Sequence, residues 1–142
     1  MEVLTRPMTI KPKILIIDDS ISECLILRKY LSPTAVPIYE IQTANDFSEA
    51  RKILATTHFD CILLDYLIGA ETGVDFIRKI NPKLDADSAV IMITGYANPE
   101  LKEQALEAGF NAFISKDDMT QEHLNQCVQS LIKVTQERPD DE

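Results

Sequence analysis

Residues 14–19 read Ile-Leu-Ile-Ile-Asp-Asp, an unbroken apolar run that ends in two adjacent carboxylates. A short run without polar alternation suits a strand covered on both faces of a parallel sheet. The same design returns three times. Cys61-Ile62-Leu63-Leu64 ends at Asp65, Val90-Ile91-Met92-Ile93 ends at Thr94, and Phe113-Ile114-Ser115 leads to Lys116. A fifth segment around Ile38–Thr43 mixes polar and apolar residues, as an edge strand does. Strands are therefore predicted over Lys13–Asp18, Ile38–Thr43, Phe59–Leu64, Ala89–Thr94 and Ala112–Ser115. Helical patterns separate them, and that alternation implies a doubly wound α/β fold with parallel strands and right-handed crossovers.

The helices carry start signals. Ser20 followed by Glu23 is a capping box, and Ile21, Cys24, Leu25, Arg28 and Leu31 follow at helical spacing. Asn45 is placed to cap a second helix carrying Phe47, Ala50, Ile53 and Leu54, and Thr72 a third carrying Val74, Ile77 and Ile80. Asn98-Pro99 sets a cap before a first-turn proline, and Thr120 opens a last helix with Leu124, Val128 and Leu131 on one stripe. Of four glycines, Gly69, Gly73 and Gly95 fall in loops at the strands' C-terminal edge, where open α/β sheets bind ligands, and Gly109 ends the fourth helix.

A length of 142 residues is one domain's worth, able to bury a core without metal or disulfide staples. Residues 1–12 read as an N-terminal arm or linker, 13–134 as the domain and 135–142 as an acidic tail. The net charge of -9 argues against direct nucleic-acid binding, which draws on a Lys/Arg surplus, and is compatible with a divalent cation or a basic protein partner. Cys24, Cys61 and Cys127 form no C-x-x-C and read as reduced, buried thiols of a cytoplasmic protein. No apolar run reaches membrane-spanning length, and Met1–Pro12 has no signal-peptide core.

Parallel strands would bring Asp18, Asp19, Asp65, Thr94 and Lys116 to one edge. Two carboxylate charges ~5 Å apart cost roughly 3 kcal/mol at an effective dielectric of 20, so a proton is retained or a cation binds. Hard oxygen ligands with room for water suit Mg²⁺. Mg²⁺ and Lys116 would neutralise phosphoryl oxygens, and Thr94 would donate to them. Asp65, single and at the end of a central apolar strand, is the candidate nucleophile for an acyl phosphate.

With ILIIDDS, CILLDYLIGAETG, VIMITG and AFISK in this order, the chain from Lys13 to about Val134 resembles the receiver domain of two-component response regulators. The resemblance implies a flavodoxin-like, five-stranded parallel sheet in the order 2-1-3-4-5 with helices on both faces. It also implies that Asp65 accepts phosphate from a phosphohistidine on a sensor histidine kinase or histidine phosphotransfer protein. Asp19 would ligate Mg²⁺ directly, Asp18 mainly through water, Asp65 by its carboxylate and Leu67 by its backbone carbonyl. Thr94 and Lys116 would contact the phosphoryl oxygens, Phe113 would be the aromatic switch that follows Thr94, and Leu67 and Tyr96 would flank the path of an attacking water. A downstream protein would read the fourth helix, fifth strand and fifth helix.

Departures are local. Gly69 stands where the family usually has proline, which predicts a more flexible loop. Asp117 follows Lys116 where proline is usual, so no cis peptide is expected there, since it would cost about 2.5–4 kcal/mol. Two other readings are set against the switch. A haloacid-dehalogenase-like phosphohydrolase would use Asp18, Thr94, Lys116 and Asp117-Asp118, but Ser20 occupies the place of its second aspartate and Asp65 is left without a role. A receiver fold used purely for docking would have no need of the intact residue set.

Overall fold

The computed structural model describes residues 11–32 and 38–136. The expected N-terminal arm before Lys11 and the acidic tail after Gln136 lie outside the described residues. The apolar runs become strands β1 (Lys13–Ile17), β2 (Glu40–Ala44), β3 (Cys61–Leu64), β4 (Leu67–Ile68), β5 (Glu71–Thr72), β6 (Ala89–Thr94) and β7 (Ala112–Ser115). The five main strands pair in parallel in the order β2-β1-β3-β6-β7, which is the expected order once the short strands β4 and β5 are set apart. β2 lies at the edge and, among the described residues, pairs only with β1.

Among the described residues four α-helices connect the strands, α1 (Ile21–Leu31), α2 (Phe47–Thr56), α3 (Gly73–Ile80) and α4 (Pro99–Ala108), and a fifth, α5 (Gln121–Gln136), follows β7. Alternate side chains of each central strand feed two cores. Ile14, Ile16, Cys61, Leu63 and Ile91 pack with Cys24 and Leu27 of α1 and with Leu124 and Val128 of α5. Leu15, Ile17, Ile62, Leu64 and Met92 face α2, α3 and α4. Burial on both faces explains why these strands are continuous apolar runs; each such side chain contributes about 1.5–3 kcal/mol of transfer free energy.

Several local expectations shift. On α1 the buried residues are Cys24, Leu27 and Leu31, while Ile21 and Leu25 are 69% and 60% exposed. This helix is apolar on more than one side, so spacing alone does not choose the inward face. On α5 Ile132 is buried and Leu131 is only partly so. Asp46, not Asn45, caps α2, its Oδ1 accepting from Glu49 N–H at 2.7 Å. Ser20, Thr72, Asn98 and Thr120 accept from the third residue onward as expected. Cys24 and Cys61 are buried free thiols, and Cys127 is half-buried.

The loop after β3 has a definite shape. β4 and β5 form an antiparallel hairpin closed by Gly69-Ala70, with Gly69 at φ +64. A positive φ at the first central residue is the pattern of a type II′ turn, which glycine adopts without strain. Gly69 thus serves turn geometry. Arg51 ties the hairpin to α2 through both oxygens of Glu71 (2.9 and 2.7 Å) and lies 5.1 Å over the Phe76 ring, which stacks on Phe47.

Gly73 is the first residue of α3 and not part of a loop. A Cβ there would stand 2.5 Å from the Asp65 carbonyl oxygen and 3.2 Å from Leu64 Cδ1, whereas one at Gly95 would meet nothing within 4 Å. Gly73→Ala is expected to destabilise the chain by about 1–3 kcal/mol through overpacking against backbone. Gly95→Ala is expected to change stability by less than about 1 kcal/mol. Urea unfolding of the two variants checks the contrast.

Candidate functional site

Register builds the site. β1 and β3 pair with Ile17 beside Leu64, so Asp18 and Asp65 emerge as neighbours, and Asp65 N–H donates to the Ile17 carbonyl at 3.3 Å. β6 and β7 pair with Thr94 beside Ser115, and Lys116 N–H donates to the Thr94 carbonyl at 2.9 Å. From that strand end the Lys116 side chain crosses to the carboxylates. Its Nζ lies 3.3 Å from Asp18 Oδ2, 3.3 Å from Asp65 Oδ2 and 3.6 Å from Glu23 Oε1. The structure therefore brings together Asp18, Asp65 and Lys116, with Thr94 bonded to the Lys116 backbone.

Asp18 is 2% exposed. Burial pushes its carboxyl above the ordinary range, against the Ser20 N–H bond and Lys116, which pull it down; Asp65 adds to the rise. Its Oδ1 accepts from Ser20 N–H at 3.0 Å, which takes over the donor that a full capping box would give to Glu23. The Glu23 carboxylate turns to Lys116 instead. For Lys116 burial works downward, but Asp18, Asp65 and Glu23 together outweigh it, so the ammonium is held above its usual value.

Asp19 is exposed at the end of β1 and makes no hydrogen bond or ion pair among the described residues. Asp65 is partly exposed, with Oδ1 held by Tyr66 N–H at 2.7 Å. Thr94 is fully buried, and its hydroxyl accepts from Tyr96 N–H at 3.1 Å. Phe113 is half-buried against the core that contains α4. Leu67 and Tyr96 are 40% and 59% exposed, and the Tyr96 ring meets Tyr66 edge-on with centroids 6.0 Å apart. No cis peptide occurs among the described residues, so the bond after Lys116 is trans as expected.

Three participants escape a reading by strand ends: Glu23, Asn45 and Tyr66. Glu23 is legible only as a cap residue, and Asn45 only as the residue after β2, although its Nδ2 donates to the Asp18 carbonyl at 3.2 Å. The register of β1 with β2, Ile17 beside Ala44, is what puts it there. The oxygens of Asp18, Asp19 and Asp65 make a hard donor set. Carboxylate oxygens are the donor type that suits a hard divalent ion such as Mg²⁺, and two of the three residues, Asp18 and Asp65, share one cation in the Lys116 ammonium. A separate group, His58 with Asp85 and Asp87, lies at the opposite edge of the sheet and takes no part.

Comparison with known proteins agrees with this fold. The family model of the response regulator receiver domain matches residues 14–129. The chain belongs to this family. It is 28% identical to the regulatory protein VirG of Agrobacterium fabrum over 112 residues, 78% of this chain and 42% of that protein. It is 31% identical to the transcriptional regulatory protein ResD of Bacillus subtilis over 108 residues, 76% of this chain and 43% of that protein. This receiver thus spans less than half the length of these two relatives. Among solved structures, the signal receiver domain of a LuxO repressor protein from Vibrio parahaemolyticus superposes with a TM-score of 0.80 at 21% identity, covering 89% of this chain and 94% of that one. Receivers of this family are signalling modules of two-component systems. No helix among the described residues is long and apolar enough to cross a membrane.

Asp18 gives the site a pH signature. A carboxyl raised in the folded state stabilises the fold below its unfolded value and loses that contribution as pH rises through the folded one. In this receiver Asp18→Asn is therefore expected to raise the thermal midpoint at pH 7 with divalent cations chelated. The gain should shrink as pH falls toward the unfolded carboxyl value of 3.8. A midpoint difference independent of pH between 3 and 7 would contradict this account.

Proposed function

We propose that the chain is a phosphoacceptor switch of a two-component phosphorelay, with Asp65 as the site of covalent chemistry. The observation that carries this reading is the Lys116 ammonium shared between Asp65 and Asp18 at equal distances. In the reaction an Asp65 oxygen attacks the phosphorus of a phosphohistidine on a sensor histidine kinase or histidine phosphotransfer protein. The P–N bond breaks, its electron pair stays on the imidazole nitrogen, and an aspartyl phosphate forms. Lys116 neutralises the phosphoryl oxygens, and the Thr94 hydroxyl turns to donate to one of them. Phosphoryl transfer depends mainly on such positioning and charge. Asp19, Asp18, Asp65 and the Leu67 carbonyl would hold Mg²⁺, which supplies further charge neutralisation there.

Asp18 is a poor nucleophile in this setting. Its oxygens are engaged by Ser20 N–H and Lys116, and it is nearly inaccessible. This weighs against the haloacid-dehalogenase-like alternative. The chain is then a switch that catalyses only its own phosphorylation and dephosphorylation, in the cytoplasm, over a domain of residues 13–134. Thr94 and Phe113 shift together, and a downstream protein reads α4, β7 and α5. Leu67 and Tyr96, both bulky, shield the acyl phosphate from water and lengthen its life.

Incubation with radiolabelled phosphoramidate and Mg²⁺ is expected to load one hydroxylamine-sensitive phosphoryl group per chain. Labelling should vanish in Asp65→Asn, and in Asp19→Asn, which removes the metal clamp but not the nucleophile. Multiple turnover of a phosphate monoester that survives Asp65→Asn but not Asp18→Asn would point to the hydrolase instead. Leu67→Asn and Tyr96→Glu are expected to speed loss of the label several-fold, about 1 kcal/mol of barrier. Unchanged rates in both would remove the shielding role.

A further inference from the structure

The hairpin of β4 and β5 is held in place by side chains outside it. Ile68 is buried and seats β4, but neither residue of β5 is buried. Two paired residues per strand do not hold a hairpin by themselves. Glu71 of β5 is instead tied to two helices. Arg51 Nη2 of α2 donates to both of its oxygens at 2.9 and 2.7 Å, and Lys79 Nζ of α3 lies 3.5 Å from Oε2. Arg51 is itself fixed, 5.1 Å over the Phe76 ring, which stacks on Phe47 with centroids 4.3 Å apart.

The register of the hairpin decides which of its carbonyls is free. Leu67 pairs with Thr72, and one step back in the same register Gly73 N–H donates to the Tyr66 carbonyl. Hydrogen-bonded and non-hydrogen-bonded pairs alternate in an antiparallel ladder, so Leu67 and Thr72 are a non-hydrogen-bonded pair. The Leu67 carbonyl is therefore turned out of the ladder, two residues after Asp65. Asp18, Asp19 and Asp65 follow strands of the main sheet and are placed by its register, whereas Leu67 lies on a hairpin that forms a separate sheet. Resting on the proposed phosphoacceptor role and its metal ligands, we infer that Arg51 is a positioning residue. Through Glu71 it holds the hairpin where the Leu67 carbonyl serves a divalent ion beside Asp65. Donors held in place by their support bind an ion better than donors that must be ordered first.

Two substitutions separate positioning from simple electrostatics. Arg51→Met keeps an aliphatic stem over Phe76 and removes one positive charge, and Glu71→Gln removes one negative charge. The two side chains are 40% and 24% exposed, so neither change leaves a buried charge unpaired. Mn²⁺ is the probe, because it prefers the same oxygen donors and its free form is counted by electron paramagnetic resonance. It is titrated into the full, unphosphorylated chain. Both variants are expected to bind Mn²⁺ about threefold more weakly than the parent. The double variant should be no weaker than either single one, since the two residues act as a unit. Through the field alone the two changes would act in opposite directions, loss of a cation tightening binding and loss of a carboxylate weakening it.

Arg51→Met that binds Mn²⁺ as tightly as the parent, or more tightly, would overturn the positioning role. So would a double variant whose loss is the product of the two single losses. A parent chain that binds no Mn²⁺, or binds it no better than Asp65→Asn does, would instead overturn the metal set of the phosphoacceptor reading, and the role of Arg51 with it.

Discussion

The Lys116 ammonium lies between Asp18 and Asp65, at 3.3 Å from an oxygen of each, and it arrives from the other side of the sheet. Lys116 follows β7, which is separated from β1 by β3 and β6. Two carboxylates delivered side by side by the β1–β3 register repel each other, and Asp18 carries the added cost of burial. One cation reaching both makes the arrangement tolerable. That contact closes only when four parallel strands are in register, so the charge balance of the site and the completion of the sheet are one event.

The surrounding structure bends its local rules to serve this contact. A Ser-x-x-Glu box would ordinarily return the glutamate to the serine N–H. Here Asp18 takes that N–H, and Glu23 is released to become a third carboxylate on Lys116. Asn45, beside the true cap of α2, donates to the Asp18 carbonyl. Gly73 lets α3 begin against the Asp65 carbonyl, where any Cβ would collide. Departures from local ideality gather where function needs them. Asp19 is left exposed, with no hydrogen bond or ion pair among the described residues, and under the proposed function its charge would serve a divalent ion.

Much of this was legible in the chain because the physics involved is local. Ile14–Ile17, Cys61–Leu64 and Ala89–Thr94 announce strands because both of their faces are buried, so no polar alternation interrupts them. Ser20, Thr72, Asn98 and Thr120 announce helix starts because a cap bonds to a residue three positions on. Where two neighbours compete, as Asn45 and Asp46 do, or where a helix such as α1 is apolar on two sides, local rules cannot choose. The hairpin of β4 and β5 has no such signal because strands of two residues leave no periodic pattern, although Gly69 marks its turn.

By itself the sequence determined the alternation of strands and helices, the polar residue that ends each strand, and the type of chemistry those residues favour. Propensity, periodicity and capping act over a few residues, and they are written in a few residues. Only the tertiary structure decided that Lys116 bridges Asp18 and Asp65, that Glu23 joins them, and that Asp18 is buried while Asp19 is exposed. Those facts depend on inter-strand register and on the reach of long side chains between segments as far apart in the chain as residues 18 and 116. Separation of that kind carries no local signal, because the contact exists only once the sheet has brought the strand ends together.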